Sequence, residues 1–333
     1  MLTMYKSVFG KTEKKINALI HGAVMVDTNE EQKSMELLDS IWAAGCTTFD
    51  TAHDYREGRC ELLLGKWMEE RKNRDKIFII SKCGHYNQYR RRVTPYDIGA
   101  DLLDSLVKLR TDYIDMYMLH RDDPDYPVEE LVDAFNYHIE KGSINCWGVS
   151  NWSYERVKAA NDYAKKNHLI PPAAASSHFS LGVQYEKPWG GCPFGDEGVS
   201  ETITGDDKVD ARRYFTEKNM AFFAYSPLCR GLFSGSVTRE KFRENPNIVD
   251  EPTAKAYCHE GNFKRLERVG IFAKERGYSV PQVALAWLLN QPLNVFLLVG
   301  ANSAEEYLHD TGAFEIKLTK KEMDWMNLLC DER

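Results

Sequence analysis

The sequence predicts a single (β/α)₈ barrel, the TIM-barrel architecture, over residues 1–333. Three features carry that expectation: eight short apolar runs of strand composition, amphipathic stretches between them, and no compositional break or Pro/Gly/Ser-rich linker along the chain. Strands that alternate with helices pair in parallel, because a parallel crossover needs a connection of helix length. Eight such units close a barrel. An open doubly wound sheet would also want a G-x-G-x-x-G turn after its first strand, and the chain has none.

The first run is NALIHGAV (17–24), followed by NEEQKSMELLDSIWAAG, whose apolar residues return at helical spacing and where Gly45 stands ready to cap after Ala44. The second, CTTFDT (46–51), ends at Asp50; the third, KIFIISK (76–82), ends at Lys82. Pro95 after Thr94 opens a helix that includes GADLLDSLVKLR. The fourth run, YIDMYMLH (113–120), leads into PVEELVDAFNYHIEKG, which Gly142 ends, and the fifth, INCWGVSN (144–151), leads into SYERVKAANDYAKKN. The sixth is AAASSHF (173–179) and the seventh AFFAYSPL (221–228); VPQVALAWLLNQ then precedes the eighth, VFLLVGA (295–301). Two long connections, 182–217 with EKPWGGCPFGDEG and 230–264 with RENPNIVDEPT, read as surface excursions after strands six and seven that cover a site.

A net charge of −7 argues against a nucleic-acid or anionic-membrane partner, which would require a dominant positive field. The expected partner is a small molecule, with the oligomeric state left open. The N-terminal MLTMYKSVFGKTEKK lacks the apolar core of a signal peptide and no run of about eighteen apolar residues occurs, so a cytoplasmic protein is expected. Eight scattered cysteines without a CxxC pair read as reduced thiols, with no metal site. The run RRR (90–92) reads as a solvated loop, and Trp287, Trp325 and Cys83 as packing.

Chemistry in such a barrel gathers where the carboxyl ends of the strands converge on one mouth. Asp50, Lys82 and His120 end strands two to four, Ser150 and Asn151 end the fifth, and Tyr225 and Ser226 lie near the end of the seventh. One such residue is ordinary; four consecutive strands ending this way point to a site. Tyr55, in FDTAHDYREG, is close enough to Asp50 along the loop to fold back over the mouth. An ammonium beside a phenol favours phenolate, so Lys82 is expected to lower the ordinary phenol pKa of about 10 at Tyr55. Asp50 would hold the lysine charged, and His120 would hydrogen-bond a substrate oxygen. That set suits protonation of a carbonyl oxygen while another group attacks the carbon.

FDTAHDY, IISK and YMLHRDDP, in that order, together with GVSNW (148–152), AYSPLCRGLFSG (224–235) and VGANSAEEYLHD (299–310), resemble segments of the aldo-keto reductase superfamily over roughly residues 17–313. The resemblance implies an NAD(P)H-dependent oxidoreductase passing hydride between a nicotinamide cofactor and a carbonyl or alcohol substrate: an aldehyde, a ketone or a sugar derivative. It implies Tyr55 as general acid and base, Lys82 as its neighbour, Asp50 paired with Lys82, and His120 orienting the carbonyl. Ser150 and Asn151 resemble residues that hold the carboxamide, and Tyr225 the ring that stacks on the nicotinamide. Ser226, Leu228 and Gly231 would approach the pyrophosphate, glycine permitting close contact.

The chain departs from the family pattern in three places. SSHFS (176–180) puts Ser176 at a position usually held by glutamine; HGAVM (21–25) replaces a glycine-rich strand end, so that Gly22 and Ala23 are weaker cofactor neighbours. Asn302, Glu306 and Asp310 stand where a basic residue, Gln or Arg, and Asn are usual. Carboxylates repel a 2′-phosphate and suit a ribose hydroxyl, whereas family habit favours NADPH. NADP is therefore the first expectation and NAD the alternative.

Two rival readings accompany this one. The barrel could bind cofactor as a regulatory or subunit-type protein with little turnover, or be a metal-dependent hydrolase using Asp50, His53 and His120, although the chain shows no HxH pair. Tyr86, Tyr89, Trp152 and Trp189 are candidate substrate walls, and His53 a candidate substrate neighbour.

Overall fold

Eight parallel strands close a barrel: Leu19–Gly22, Thr48–Asp50, Phe78–Cys83, Ile114–Leu119, Ile144–Ser150, Ala174–His178, Ala221–Tyr225 and Asn294–Val299. Each pairs with the next, and the last with the first. The computed structural model describes residues 5–6, 14–189 and 192–333. All eight expected strands are present, and so are the helices Glu31–Ala43, Pro95–Leu109, Val128–Glu140, Tyr154–Lys166 and Val280–Leu289. The expected punctuation is present too. Pro95 sits in the first turn of its helix while the Thr94 hydroxyl accepts from Asp97 N at 3.2 Å. Gly45 and Gly142 take φ values of 95° and 76°, in the left-handed region where a helix commonly ends. A short antiparallel pair, Tyr5–Lys6 with Ile16–Asn17, precedes the barrel and had no signal in the sequence.

Successive side chains on a strand point to opposite faces, so parity decides what fills the barrel and what reaches its mouth. Ile20, Phe78, Ile80, Met116, Met118, Cys146, Ala174, Ala221, Phe223 and Phe296 form one buried interior cluster. The alternate residues, among them Phe49, Ile79, Tyr117, Leu119, Trp147 and Phe222, pack in a second layer with the helices. Extending the interior parity by one step past Ile80, Met118 and Phe223 arrives at Lys82, His120 and Tyr225. The period-two pattern that fills the core thus also delivers the polar residues to the mouth.

The two excursions contain more helix than expected. The first ends in Val209–Glu217; the second holds Arg239–Glu244, Glu251–Tyr257 and the start of Glu260–Arg276. Side-chain caps account for two of these starts: Thr238 Oγ1 accepts from Lys241 N at 3.2 Å and Asp250 Oδ1 from Thr253 N at 2.9 Å. Among the described residues no helix is long and apolar enough to cross a membrane.

His178, at the end of the sixth strand, is buried between Thr202 Oγ1 (2.9 Å) and Ser180 Oγ (3.0 Å), and burial lowers its pKa from 6.5 to about 3. The unfolded chain therefore takes up this proton first. The stability contributed by neutral His178 is complete above about pH 6.5 and is lost as pH falls toward 3, at up to roughly 1.4 kcal/mol per unit. Asp122 and Asp310, which burial raises to about 6, act in the opposite sense. The measure is therefore a difference: urea midpoints of wild type and His178→Asn taken from pH 7 to 4 should show a shallower acid decline in the variant, and parallel curves would refute the assignment.

Candidate active site

The second and third strands place Asp50 and Lys82 side by side at the mouth. Lys82 Nζ forms an ion pair with Asp50 Oδ1 at 2.6 Å, donates to Thr51 O at 2.8 Å, and donates to Tyr55 Oη at 3.3 Å. An ammonium has three N–H groups, and three acceptors surround this one. The Lys82 and Asp50 side chains are only 3% and 6% exposed. Burial works against the lysine's charge, but Asp50 and Tyr55 outweigh it and hold the pKa above the ordinary value.

The phenol departs from the expected direction. Burial pushes Tyr55 up to about 12; Lys82 pulls it down, but not far enough to overcome burial and the nearby Asp50 and Asp54 carboxylates. The sequence shows the ammonium and does not show the desolvation, which is the larger effect here. Tyr55 therefore keeps its proton across the neutral range, with the Lys82 ammonium in contact.

His120 packs edge-on to Tyr55 with ring centres 5.5 Å apart, and its Nδ1 lies 2.8 Å from Asp54 Oδ1. Burial lowers the imidazole pKa to about 3, so the ring is neutral at neutral pH. Burial resists ionisation of Asp54, but His120, His85 and Arg121 together hold its carboxyl well below the usual range. An ionised Asp54 accepts, which puts the ring proton on Nδ1 and leaves Nε2 as an acceptor. Histidine ¹⁵N spectra should show Nε2 unprotonated in the wild type and protonated in Asp54→Asn, whose amide can donate to Nδ1; the same tautomer in both would refute this pairing.

Asp50, Tyr55, Lys82 and His120 line one cavity of about 800 Å³ together with Ser150, Asn151, Ser176, Tyr225, Ser226, Leu228, Gly231, Asn302, Glu306 and Asp310. The four catalytic and ten cofactor candidates thus meet in one groove, drawn from six strands and the loops beyond them. Asn151, at φ 62°, donates from Nδ2 to His120 O at 3.0 Å and accepts at Oδ1 from Tyr225 Oη at 2.8 Å. Ser176 is nearly inaccessible and donates its hydroxyl to Phe223 O at 3.0 Å, so it braces the barrel more than it presents a polar group. Gly231 has φ 102° and open space where a Cβ would stand. At the far end Glu306 Oε2 accepts from Asn302 N (2.8 Å) and Nδ2 (3.3 Å). Asp310 is buried, which raises its pKa to about 6 against the pull of His309. The volume and the open backbone beside Gly231 leave room for a nicotinamide dinucleotide.

Several expected neighbours lie elsewhere. His53 Nε2 pairs with Asp104 Oδ2 at 2.7 Å, Ala23 is fully buried, Trp152 is buried in packing, and Tyr89 is 76% exposed; none of these lines the cavity, nor does Tyr86. Trp189 and Gly22 do line it. The arginine run is pinned rather than free: Arg90 pairs with Asp97 at 2.6 Å, Arg91 with Asp123 at 2.9 Å, and Arg92 with Asp101. The metal-hydrolase set does not assemble, because Asp50 is held by Lys82 and His53 by Asp104. Among the described residues the trio close enough to share a metal is Asp54, His85 and His120, with ligand atoms within 4.8 Å of one another. Arg121 Nη2 lies 3.2 Å from His85 Nε2, which sets a positive group against a lone pair that a cation would need. Asp54, His85 and Arg121 were missed from the sequence; HDY, KCGHY and LHRDD held them in plain view beside the expected residues.

A closed parallel barrel with a buried Tyr, Lys, Asp and His at its carboxyl mouth, opening on a long groove, has the build of a barrel enzyme. Residues 18–329 match the sequence profile of the Aldo/keto reductase family, and the chain belongs to that family. It is thus an NAD(P)H-dependent oxidoreductase. It is 28% identical over 313 residues to a probable aryl-alcohol dehydrogenase of Saccharomyces cerevisiae, covering 91% of this chain and 88% of the yeast protein. It is 30% identical over 320 residues to an aldo-keto reductase of Strobilurus tenacellus (92% and 83% covered) and 28% identical over 290 residues to one of Bacillus subtilis (84% and 78%).

Proposed function

We propose that the protein interconverts a carbonyl compound and its alcohol, with Tyr55 giving the proton in reduction and taking it back in oxidation. The observation that carries this reading is the 3.3 Å contact between Lys82 Nζ and Tyr55 Oη beside the cavity. A bound nicotinamide supplies or accepts the hydride. Burial keeps the Tyr55 proton in place until a carbonyl oxygen accepts it, and Lys82, kept charged by Asp50, then stabilises the phenolate. His120 orients the substrate through the acceptor Nε2, which suits the alcohol hydroxyl. Trp189 offers an aromatic wall, and an aryl aldehyde, the oxidised form of what the yeast relative's name describes, is a fitting first substrate.

For the cofactor we propose NADP(H) on the family's habit, with NAD(H) also accepted because Glu306 and Asp310 line the groove where a 2′-phosphate would seek a cation. Fluorescence titration with NADPH and NADH tests the reading, followed by aldehydes and ketones with the tighter-binding cofactor. Binding of neither would overturn it. Glu306→Arg should shift the preference toward NADPH by roughly ten- to hundredfold, the worth of one charge-assisted hydrogen bond. An unchanged preference would show that residue 306 does not meet the ribose.

A further inference from the structure

Three arginines line the cavity, and they differ in one respect. Arg56 is held by Asp27 at 3.1 Å and Arg230 by Asp250 at 2.6 Å. Arg121, only 9% exposed, makes no ion pair among the described residues. The carboxylates around it are committed elsewhere: Asp54 to His120 at 2.8 Å, Asp122 to Arg156 at 3.2 Å, Asp123 to Arg91 at 2.9 Å. Of the five N–H groups of a guanidinium, two are engaged, Nη1 with His120 O and Nη2 with His85 Nε2, both at 3.2 Å. The Nε–H is enclosed by protein and has no acceptor. Both engaged partners are neutral, since His85 Nδ1 bonds Tyr86 O at 3.0 Å and burial keeps that ring uncharged.

The ionised Asp54 offsets part of the Arg121 charge without a direct contact, and the guanidinium is left with unengaged N–H groups in a largely enclosed place, so the position makes sense if an anion arrives with the ligand. We propose that Arg121 is a subsite for a carboxylate on the substrate, so that the carbonyl compound this protein reduces carries an acid group. The inference rests on the reductase reading and narrows it. Arg121 follows His120 directly, next to the group that would meet the reacting oxygen, so the acid and the carbonyl belong to one small molecule. A carboxylate monoanion fits one open guanidinium; a phosphate dianion would call on a second cation, and Arg56 and Arg230 are already neutralised. His85 and Asp54 sharpen the selection. His85 holds one Nη2 hydrogen, leaving the remaining Nη hydrogens for the ligand, and Asp54 repels an acid placed on the His120 side.

The test compares 3- and 4-carboxybenzaldehyde with their carbamoyl counterparts, which match them in shape and lack the charge, using the cofactor that binds. For at least one ring position the acid should show a kcat/KM roughly ten- to hundredfold above its amide, and Arg121→Gln should bring that ratio to about one, with Arg121→Lys between. Equal rates for acid and amide in the wild type, or a preference that survives in folded Arg121→Gln, overturn the inference. Should Arg121→Gln not fold, the wild-type ratio and that of Arg121→Lys decide it alone. Turnover of the amides without preference for the acids sinks only this inference, whereas no turnover of any of the four and no cofactor binding sinks the reductase reading itself.

Discussion

Tyr55→Phe should bind cofactor as the wild type does and lose roughly 10²- to 10⁴-fold in kcat, the usual worth of a positioned acid. The substitution removes one oxygen and keeps the ring that packs edge-on against His120 at 5.5 Å, so the cavity wall is preserved. Lys82 keeps Asp50 and the Thr51 carbonyl as partners, so the cation stays in place. What disappears is the group we propose to move the proton. Fluorescence titration should therefore report an unchanged Kd while steady-state reduction collapses. Parental turnover would show that another group donates the proton, and lost cofactor binding would show that the oxygen holds the site together.

The pH dependence follows the same logic. With Tyr55 near 12, the donor is protonated throughout the neutral range. Reduction should stay flat from about pH 6 to 9, because protonation of the acid does not limit it there. A rate falling from pH 7 upward would indicate that the phenol in the working complex lies well below that value, as the contact with Lys82 alone would have it.

The barrel and the central residues were legible because both follow from periodicity. Runs such as KIFIISK and YIDMYMLH set strand parity, and the same parity that buries Ile80 and Met118 projects Lys82 and His120 at the mouth. What could not be read depends on contacts between loops. His120 and Asp54 are 66 residues apart and meet only because two strand ends converge. His53, one residue earlier, faces Asp104 on a neighbouring helix, and nothing local distinguishes the two positions. Arg90, Arg91 and Arg92 read as free charges because their aspartates lie in another helix and another loop. The direction of the Tyr55 shift was missed for a related reason: a neighbouring charge shows in a sequence, and the depth of burial does not.

The largest effect on stability is expected at Lys82. Lys82→Met keeps the length and apolar stem of the side chain while leaving Asp50, whose side chain is 6% exposed, with no cation. Removing one partner of a buried pair typically costs about 3–5 kcal/mol, a large part of a domain's whole stability. The sign with pH identifies the cause. Without the lysine, the Asp50 carboxyl has a folded pKa raised above its unfolded value by burial, so the variant should be least unstable at low pH and lose stability as pH rises through that raised value. In the wild type burial also raises Asp50 but Lys82 pulls against it, so the decline should be steeper in the variant than in the wild type. The double variant Asp50→Asn/Lys82→Met removes the orphaned charge and should recover most of the loss, although it should not recover turnover, since the phenolate of Tyr55 would still lack its cation. Urea melts of the two variants and the wild type between pH 5 and 8 separate the possibilities. If the single variant is as stable as the wild type, or the double variant no better than the single, the ion pair is not what holds this end of the barrel.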